Sequence, residues 1–477
     1  MYEPLHGDDE QLSRKSAGCR RASFMVTVLA FIGVVIIAII SSLQRQESPS
    51  SSTMADTSAM TRTMTSETTD PFRCATHVDP RATIETCRLY HNLKKKLPNK
   101  TLFGHQDTVV DGVHWDPDDV DYDVDEKSDV FDVTGDMPAV YGWDLAWERG
   151  GINATGQLQI SRRNIDQVPY HNIKHWVRRA HENGSINTFS MHLNNPVADC
   201  NIRKGAEAMP LTNQPGPNRG DPNCGLAKTA WFRDQPTEAC HHILPRRKYH
   251  ERFLMYLDVV ADFFLDLKDA DGKYIPIIFR PFHEYNHEWS WWGVTHCSEE
   301  DFLRLWRMTI RHLRDKRGIH HLLYVAAPQD AWDEKMYMTR YPGDEWCDIL
   351  GLDWYKLSAN DGQWEDLGKT LVMLAELAQK KNKVYALTEV GFQYTVPSGT
   401  WWTQHLLPAI GMKYAWWAER KVLPHPAWLL VWRNVHENAH FVAYPGSKDE
   451  KDFVEFYHSS SIVFQRESKK IHFYDNF

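Results

Sequence analysis

Residues 275–293 read IPIIFRPFHEYNHEWSWWG, a stretch that changes character halfway along its length. Its first half is rich in isoleucine and aromatic residues, as is typical of a buried β-strand. Polar and aromatic side chains follow Pro281, and Glu284 lies among them. A buried strand that ends in a carboxylate beside clustered tryptophans is typical of the catalytic end of a parallel β-barrel.

The letters HEYNH at positions 283–287 also match the H-E-x-x-H signature of zinc proteases. That signature requires a helix, because both imidazoles must reach one metal. The residues upstream are β-like, and Pro281 lies two positions before His283, which disfavours a helix here. An extended signature would need Gly and His at positions 290 and 293, which hold Ser290 and Gly293. We therefore expect no metal and no cofactor.

Eight short apolar runs of the same kind occur along the chain. They begin at Thr101, Pro138, Ile186, Ile275, His321, Asp348, Lys383 and Ala427. Segments with apolar residues at helical spacing separate several of them, as in Phe253, Leu257, Val260, Phe264 and Leu267, in Phe302, Trp306, Ile310 and Leu313, and in Leu367, Leu371, Leu374 and Leu377. Eight strands that alternate with helices predict an α/β fold of the (β/α)8 TIM-barrel type.

Two glutamates fall at the ends of the fourth and seventh runs, at Glu284 and Glu389. Side chains at the C-terminal strand ends of such a barrel share one mouth, so these two carboxyl groups can meet there. A retaining glycosidase needs two carboxyl groups about 5 Å apart, one to protonate the leaving oxygen and one to attack the anomeric carbon. Either glutamate alone is also compatible with an exposed salt bridge, but the pair favours sugar chemistry.

The stretch RPFHEYNHEWSWWG from Arg280 resembles the acid/base motif of glycoside hydrolase family 26, the β-mannanase family, usually R-P-F/Y-H-E-M-N-G-x-W-x-W-W-G. The resemblance covers roughly Cys74 to Phe477. It extends to FGHQ from Phe103, SMHLNNP from Ser190, DWY from Asp353, LTEVGF from Leu387, VWRN from Val431 and AHFVAYPG from Ala439. The chain departs from the motif at Tyr285, which replaces Met, and at His287-Glu288, which replace Gly-x.

The resemblance implies a role for each matching residue. It makes Glu284 the general acid/base and Glu389 the nucleophile, with His283 orienting the acid and Tyr355 restraining the nucleophile. It also implies substrate contacts, with stacking by Trp289 and Trp432 and hydroxyl binding by His192 and Arg433. The expected substrate is a β-1,4-mannan or glucomannan, cleaved internally by double displacement.

Two other functions stay open at this point. The same machinery could act on another β-glycan, such as β-1,3-xylan or mixed-linkage β-glucan. A catalytically silent cell-surface lectin could retain the tryptophans, although the intact glutamates argue against it. The net charge of -9 and the lack of a basic block beyond Lys94-Lys95-Lys96 exclude a nucleic-acid-binding protein.

Residues 22–44 carry no charge and are long enough to cross a bilayer as one helix. Four basic residues precede this span between positions 14 and 21 and only Arg45 follows directly, so the N-terminus should be cytoplasmic. We expect a cytoplasmic tail (1–21), a transmembrane signal anchor (22–44), a disordered Ser/Thr-rich stalk (45–73) and a catalytic domain (74–477). This single-pass type II topology places the barrel in the lumen or outside the cell, tethered to the membrane or released at the stalk. A cleaved signal peptide is the alternative.

The cysteines and sequons after the span agree with this location. Seven of the eight cysteines follow it, so most should pair in an oxidising compartment and one should remain. N-glycosylation sequons begin at Asn99, Asn153 and Asn183. We therefore expect a disulfide-bonded glycoprotein.

Overall fold

The computed structural model describes residues 76–110, 112–115, 127–145, 151–152, 158–159, 173–193, 195–197, 238–356, 361–392, 399–413 and 423–475. All of them belong to one compact unit, Asp70–Phe477. The expected cytoplasmic tail, membrane span and stalk lie outside the described residues, as does Asn153. Within the described part of the chain, no helix is long and apolar enough to cross a membrane.

Eight parallel strands close into a barrel, which confirms the predicted fold. They are β1 Thr101–Gln106, β2 Val140–Asp144, β3 Ile186–Met191, β4 Ile277–Pro281, β5 Leu322–Ala326, β6 Ile349–Lys356, β7 Val384–Phe392 and β8 Trp428–Val431. Each strand pairs with the next in chain order, and β8 pairs with β1 to close the sheet. The eight apolar runs read from the sequence are these eight strands.

Helices follow or separate the strands. They are α1 Ile84–Lys95, α2 Asp129–Thr134, α3 Ile173–Glu182, α4 Ala239–Ile243, α5 His250–Leu265, α6 Glu299–Ile310, α7 Glu334–Met338, α8 Asp361–Lys381, α9 Leu407–Ile410, α10 Glu450–Tyr457 and α11 Gln465–Ile471. The three segments with predicted helical spacing correspond to α5, α6 and α8, except that Leu267 follows the end of α5 and Leu313 lies in the π-helical segment Arg311–Lys316 that continues α6. At the start of α6 the side chain of Ser298 accepts a hydrogen bond from the backbone N–H of Asp301, as an N-cap does.

Alternate strand residues divide the core in two. One cluster joins inward-facing residues such as Leu102, Val140 and Ile278 to Leu89 and Leu93 of α1. The other joins the outward-facing residues to the surrounding helices. This alternation is why the barrel is filled by side chains and is not a pore.

Gly351 in β6 shows how tightly the barrel interior is filled. A Cβ atom at this position would lie 2.8 Å from Val325 Cγ1, 2.9 Å from the Cβ of Ala327 and 2.9 Å from Thr388 Oγ1. Three neighbours therefore exclude any larger residue.

Two small strand pairings lie outside the prediction. A strand at Ile462–Val463 pairs with β1 from outside the closed barrel, and Gly151–Ile152 pairs with Leu158–Gln159. Two-residue strands are too short to produce a hydrophobic period in a sequence.

Cysteine pairing agrees in part with expectation. Cys240 is bonded to Cys297, joining α4 to the segment before α6, and Cys87 is also disulfide-bonded. Cys347, which is buried, is the free cysteine among the residues that the structure describes.

Candidate active site

A bulge in β7 sets the direction of Glu389. Along the pairing with β6, Leu387 lies opposite Leu352 but Glu389 lies opposite Asp353, so Thr388 is an extra residue. The pairing with β8 shifts by one residue over the same part of β7. A bulge re-aims the side chains beside it, which here include the Glu389 carboxylate. Glu389 lies within β7, which continues to Phe392, and not at its end as predicted.

Arg280 of β4 links two buried carboxylates. Its Nη1 atom donates to Asp353 Oδ2 at 2.6 Å, and its Nη2 atom donates to Glu389 Oε1. Thr388 donates to the other oxygen of Asp353 at 2.6 Å, and the Tyr355 hydroxyl donates to Glu389 Oε2 at 2.7 Å. Both oxygens of Glu389 therefore accept hydrogen bonds, which hold the carboxylate in one orientation.

Burial and charge compete in this network. Burial lowers the pKa of Arg280, but the charges of Asp353 and Glu389 outweigh it and hold this pKa above its ordinary value. Burial raises the pKa of Asp353 well above its usual range, although Arg280 opposes the shift. The guanidinium is therefore a fixed positive charge beneath the mouth of the barrel.

Glu284 lies in a turn directly after β4. Its backbone N–H donates to the carbonyl of Ala327 at 2.7 Å, and both Glu284 and Phe282 have positive φ angles, +55° and +50°. A positive φ angle costs about 1–3 kcal/mol for each non-glycine residue that adopts it, and such residues are concentrated at functional sites. Burial raises the pKa of the Glu284 carboxyl well above its usual range, and the charges of Glu389 and Asp353 add to the shift. The environment favours the protonated acid.

Trp289 contacts the Glu284 carboxyl directly. Its indole N–H donates to Glu284 Oε2 at 2.6 Å. The ring of His287 stacks on the indole with centroids 4.0 Å apart and planes 16° apart. Burial lowers the pKa of His287, so the stacked imidazole is neutral near pH 7. His287, a departure from the family motif, therefore supports Trp289 from one face.

His192 and His283 meet edge to face. Their ring centroids are 4.5 Å apart, and the Nδ1 atom of His192 hydrogen-bonds to Asp144 Oδ2. The same carboxylate accepts from the Ser190 hydroxyl at 2.8 Å, so Asp144 fixes the orientation of the His192 ring. Burial lowers the pKa of His283 well below its usual range, and the charge of Arg280 adds to this effect.

The last two predicted site residues, Trp432 and Arg433, directly follow β8, and both are half-buried. The ring centroid of Trp432 lies 6.2 Å from that of His192. The structure thus places every predicted site residue on a barrel strand or within eight residues after one, at the C-terminal face: His192, His283, Glu284, Trp289, Tyr355, Glu389, Trp432 and Arg433.

Three carboxyl groups come close enough to hold a cation. Single oxygens of Glu284, Asp353 and Glu389 all lie within 4.8 Å of one another, the one such group of acidic, histidine or cysteine ligands among the described residues. Arg280 already donates to two of the three, so a cation there would face a fixed positive charge. The H-E-x-x-H residues lie in turns and contribute only Glu284 to this group. The site therefore fits an Arg-bridged carboxylate pair better than a metal centre.

Three further residues at the site had no role in the sequence prediction. They are Arg280, Asp353 and Asp144. Each lies on the C-terminal half of a strand, in RPFHE, in DWY and at the end of YGWD. That position is the signal from which they could have been found.

Comparisons with known proteins agree with this geometry. The sequence model described as glycosyl hydrolase family 26 matches residues 78–422. A mannan endo-1,4-beta-mannosidase from Bifidobacterium adolescentis is 31% identical over 319 residues, which are 66% of this chain and 27% of that protein. Another from Bacillus subtilis is 27% identical over 366 residues, covering 75% of this chain and 82% of that protein.

A solved structure gives the same result in three dimensions. The structure of a family 26 β-mannanase from Bacteroides ovatus superposes with a TM-score of 0.63 at 31% identity. The superposition covers 83% of this chain and 96% of that one. By contrast, the sequence match spans only about a quarter of the Bifidobacterium protein.

Proposed function

The chain belongs to glycosyl hydrolase family 26, and from that premise we propose that it is a retaining endo-β-mannosidase that cleaves β-1,4 bonds in mannan or glucomannan. Glu284 is the general acid/base and Glu389 the nucleophile. Relatives with the same fold are named for this activity, and the geometry of the two carboxyl groups supports the mechanism.

The observation that carries the proposal is the distance between the two carboxyl groups. One oxygen of Glu284 and one of Glu389 lie within 4.8 Å of each other. Retaining glycosidases hold their carboxyl groups about 5–5.5 Å apart, whereas inverting enzymes need about 6.5–9.5 Å to admit a water. The short separation supports the retaining mechanism, in which the second carboxylate, Glu389, attacks the anomeric carbon itself.

In the first step Glu284 gives its proton to the glycosidic oxygen as the bond to the anomeric carbon breaks. Glu389 forms a bond to that carbon, which gives a glycosyl ester and releases the leaving sugar. The burial that raises the pKa of Glu284 keeps the proton on the acid to a higher pH than on an exposed glutamate. Arg280 and Tyr355 hold the Glu389 oxygens in place.

In the second step the ionised Glu284 accepts a proton from a water. The oxygen of that water bonds to the anomeric carbon, and the ester bond to Glu389 breaks. Two displacements restore the original anomeric configuration and both carboxyl groups. Only these two side chains and water take part in the bond changes.

The remaining predicted residues bind the sugar around this centre. The indole N–H of Trp289 donates a hydrogen bond to the acid, Glu284. His287 covers one face of the indole, and the opposite face stacks on the leaving sugar. On the side of the sugar ring that is attacked, His192 and Arg433 bind hydroxyl groups of that ring. His192 lies close to Trp432. His283, next to the acid Glu284 in the chain, packs against His192. This contact fixes the position of His192 relative to Glu284.

The choice of polymer rests on the relatives, so a substrate panel tests it. We expect kcat/KM to be highest on mannan or glucomannan when these are compared with β-1,3-xylan and lichenan in one preparation. A tenfold preference for xylan or lichenan, about 1.4 kcal/mol in transition-state stabilisation, would reject the mannanase assignment and leave the mechanism standing. No cleavage of any β-glycan would favour the lectin alternative.

We also propose the type II topology, with residues 74–477 as the catalytic domain on the lumenal or extracellular side. The Cys240–Cys297 disulfide supports this side of the membrane, because disulfides persist in oxidising compartments. Asn99 lies exposed in a turn before β1, where an N-glycan can be accommodated.

A further inference from the structure

Trp332 is the only exposed tryptophan among the residues that the structure describes, with 61% of its surface accessible. It lies in the segment between β5 and α7, which is at the C-terminal face of the barrel with the catalytic carboxyl groups. Met336, in the helix that follows, is 42% exposed. A large aromatic face is thus presented to solvent on the side of the molecule where substrate binds.

The segment that carries Trp332 is anchored on both sides. Gln329 exchanges two hydrogen bonds with Asn286, from its backbone N–H at 2.9 Å and to its carbonyl at 2.6 Å. Asp330 pairs with Lys356 at 2.7 Å. Asp333 caps α7 by accepting from the backbone N–H of Met336 at 2.7 Å. The exposed ring is therefore held on an ordered backbone, which lowers the entropy cost of binding a ligand there.

The anchor links the Trp332 segment to the turn that carries the acid. Asn286 is two residues from the acid Glu284, which protonates the leaving oxygen. Trp332 is three residues beyond Gln329, so the Cα atoms of these two residues lie within about 11 Å of each other. The β5–α7 segment is therefore the part of the C-terminal face that is hydrogen-bonded to the turn of Glu284 and Trp289.

We propose that Trp332 is a sugar-stacking platform that binds a ring of the polysaccharide on the leaving-group side, beyond the ring that Trp289 contacts. This inference rests on the proposed function. The flat apolar face of a pyranose matches an indole, and a rigid tryptophan loses little side-chain entropy on binding. Trp332 therefore extends substrate recognition away from the bond that is cleaved.

The test compares Trp332→Ala with the wild type on a series of manno-oligosaccharides of increasing length and on mannan. We expect kcat/KM to fall about three- to tenfold on the polymer and the longest oligosaccharides and to stay unchanged on the shortest that is cleaved. The cleavage position on end-labelled long oligosaccharides should shift, because one productive binding register is weakened. The melting temperature should stay within about 1 °C, since the ring is exposed.

Two further variants separate stacking from a general surface effect. Trp332→Phe keeps an aromatic face and should restore most of the lost kcat/KM, whereas Met336→Ala should behave as the wild type at every length. Equal kcat/KM and cleavage pattern for Trp332→Ala and the wild type would overturn this inference alone. Failure of the wild type to cleave any mannan would overturn the proposed function and this inference with it.

Discussion

The indole N–H of Trp289 donates a 2.6 Å hydrogen bond to Oε2 of Glu284, so one side chain both binds the acid and offers a stacking face. This bond lowers the pKa of Glu284 against the larger upward effect of burial. We expect Trp289→Phe, which keeps the ring and loses the donor, to move the alkaline limb of the kcat/KM profile to higher pH. Trp291→Phe is the control, because Trp291 donates to the backbone carbonyl of Leu193. An unchanged limb in Trp289→Phe would show that the bond does not tune the acid.

Removal of each catalytic carboxyl group should have a different signature. We expect Glu284→Ala to lower kcat on mannan about 10²–10⁴-fold, the usual contribution of a general acid, and much less on an aryl glycoside with a good leaving group. Glu389→Ala should be impaired on both substrates, because bond formation at the anomeric carbon is lost.

Azide should partly rescue both alanine variants, and the product stereochemistry reports which face the anion occupies. Azide in the Glu389→Ala site should give an α-glycosyl azide, whereas azide that attacks the ester in Glu284→Ala should give the β-anomer. NMR of the products decides this. The opposite pair of anomers, or an inverted first product from the wild-type enzyme, would reject double displacement.

The raised pKa of Glu284 also predicts a dependence of stability on pH. Because the folded-state pKa lies above the unfolded value of about 4.3, the folded protein loses stability as pH rises above that value. Glu284→Gln is neutral at all pH values and lacks this loss. It should be more stable than the wild type at pH 7, on the order of 1 kcal/mol, and equal to it near pH 3.5.

Denaturant unfolding at the two pH values measures this difference. Glu376→Gln, on the exposed surface of α8, is the matched control and should show no pH-dependent difference from the wild type. A Glu284→Gln variant that is less stable than the wild type at pH 7 would contradict the prediction.

Chelation should leave the activity unchanged. Arg280 already donates to Asp353 and Glu389, so the three-carboxylate group carries its own positive charge. We expect equal kcat before and after dialysis against EDTA. Stoichiometric zinc in the purified protein, lost together with activity, would refute this.

Asn99 should carry an N-glycan when the full chain is made in eukaryotic cells. The residue is exposed in a turn, and the proposed orientation of the span places it in the lumen. Endoglycosidase treatment should reduce the apparent mass, and Asn99→Gln should remove part of that shift. Digestion of the catalytic domain by protease added to intact microsomes would reverse the orientation.

The sequence predicts the barrel well because its parallel strands are buried on both faces. Such strands appear as short apolar runs, and all eight runs proved to be strands. The candidate site residues could be chosen from the sequence because they lie in or after the last residues of those runs, and the structure places them at the same face of the barrel; their roles stay predictions. The bridge from Arg280 to Asp353 and Glu389 was not predictable, because it joins three strands and depends on side-chain directions that no local pattern records. The stacking of His287 on Trp289 was missed for the same reason.

The extra residue at Thr388 matters to anyone who would rebuild this site on an artificial scaffold. Side chains alternate along a strand, so a regular β7 without the bulge would turn the residues after Thr388 to the opposite face. An idealised barrel that copied every catalytic side chain but used uniform strands would then aim its nucleophile at the surrounding helices. Transfer of this active site to another barrel therefore requires transfer of the β7 bulge together with the catalytic side chains.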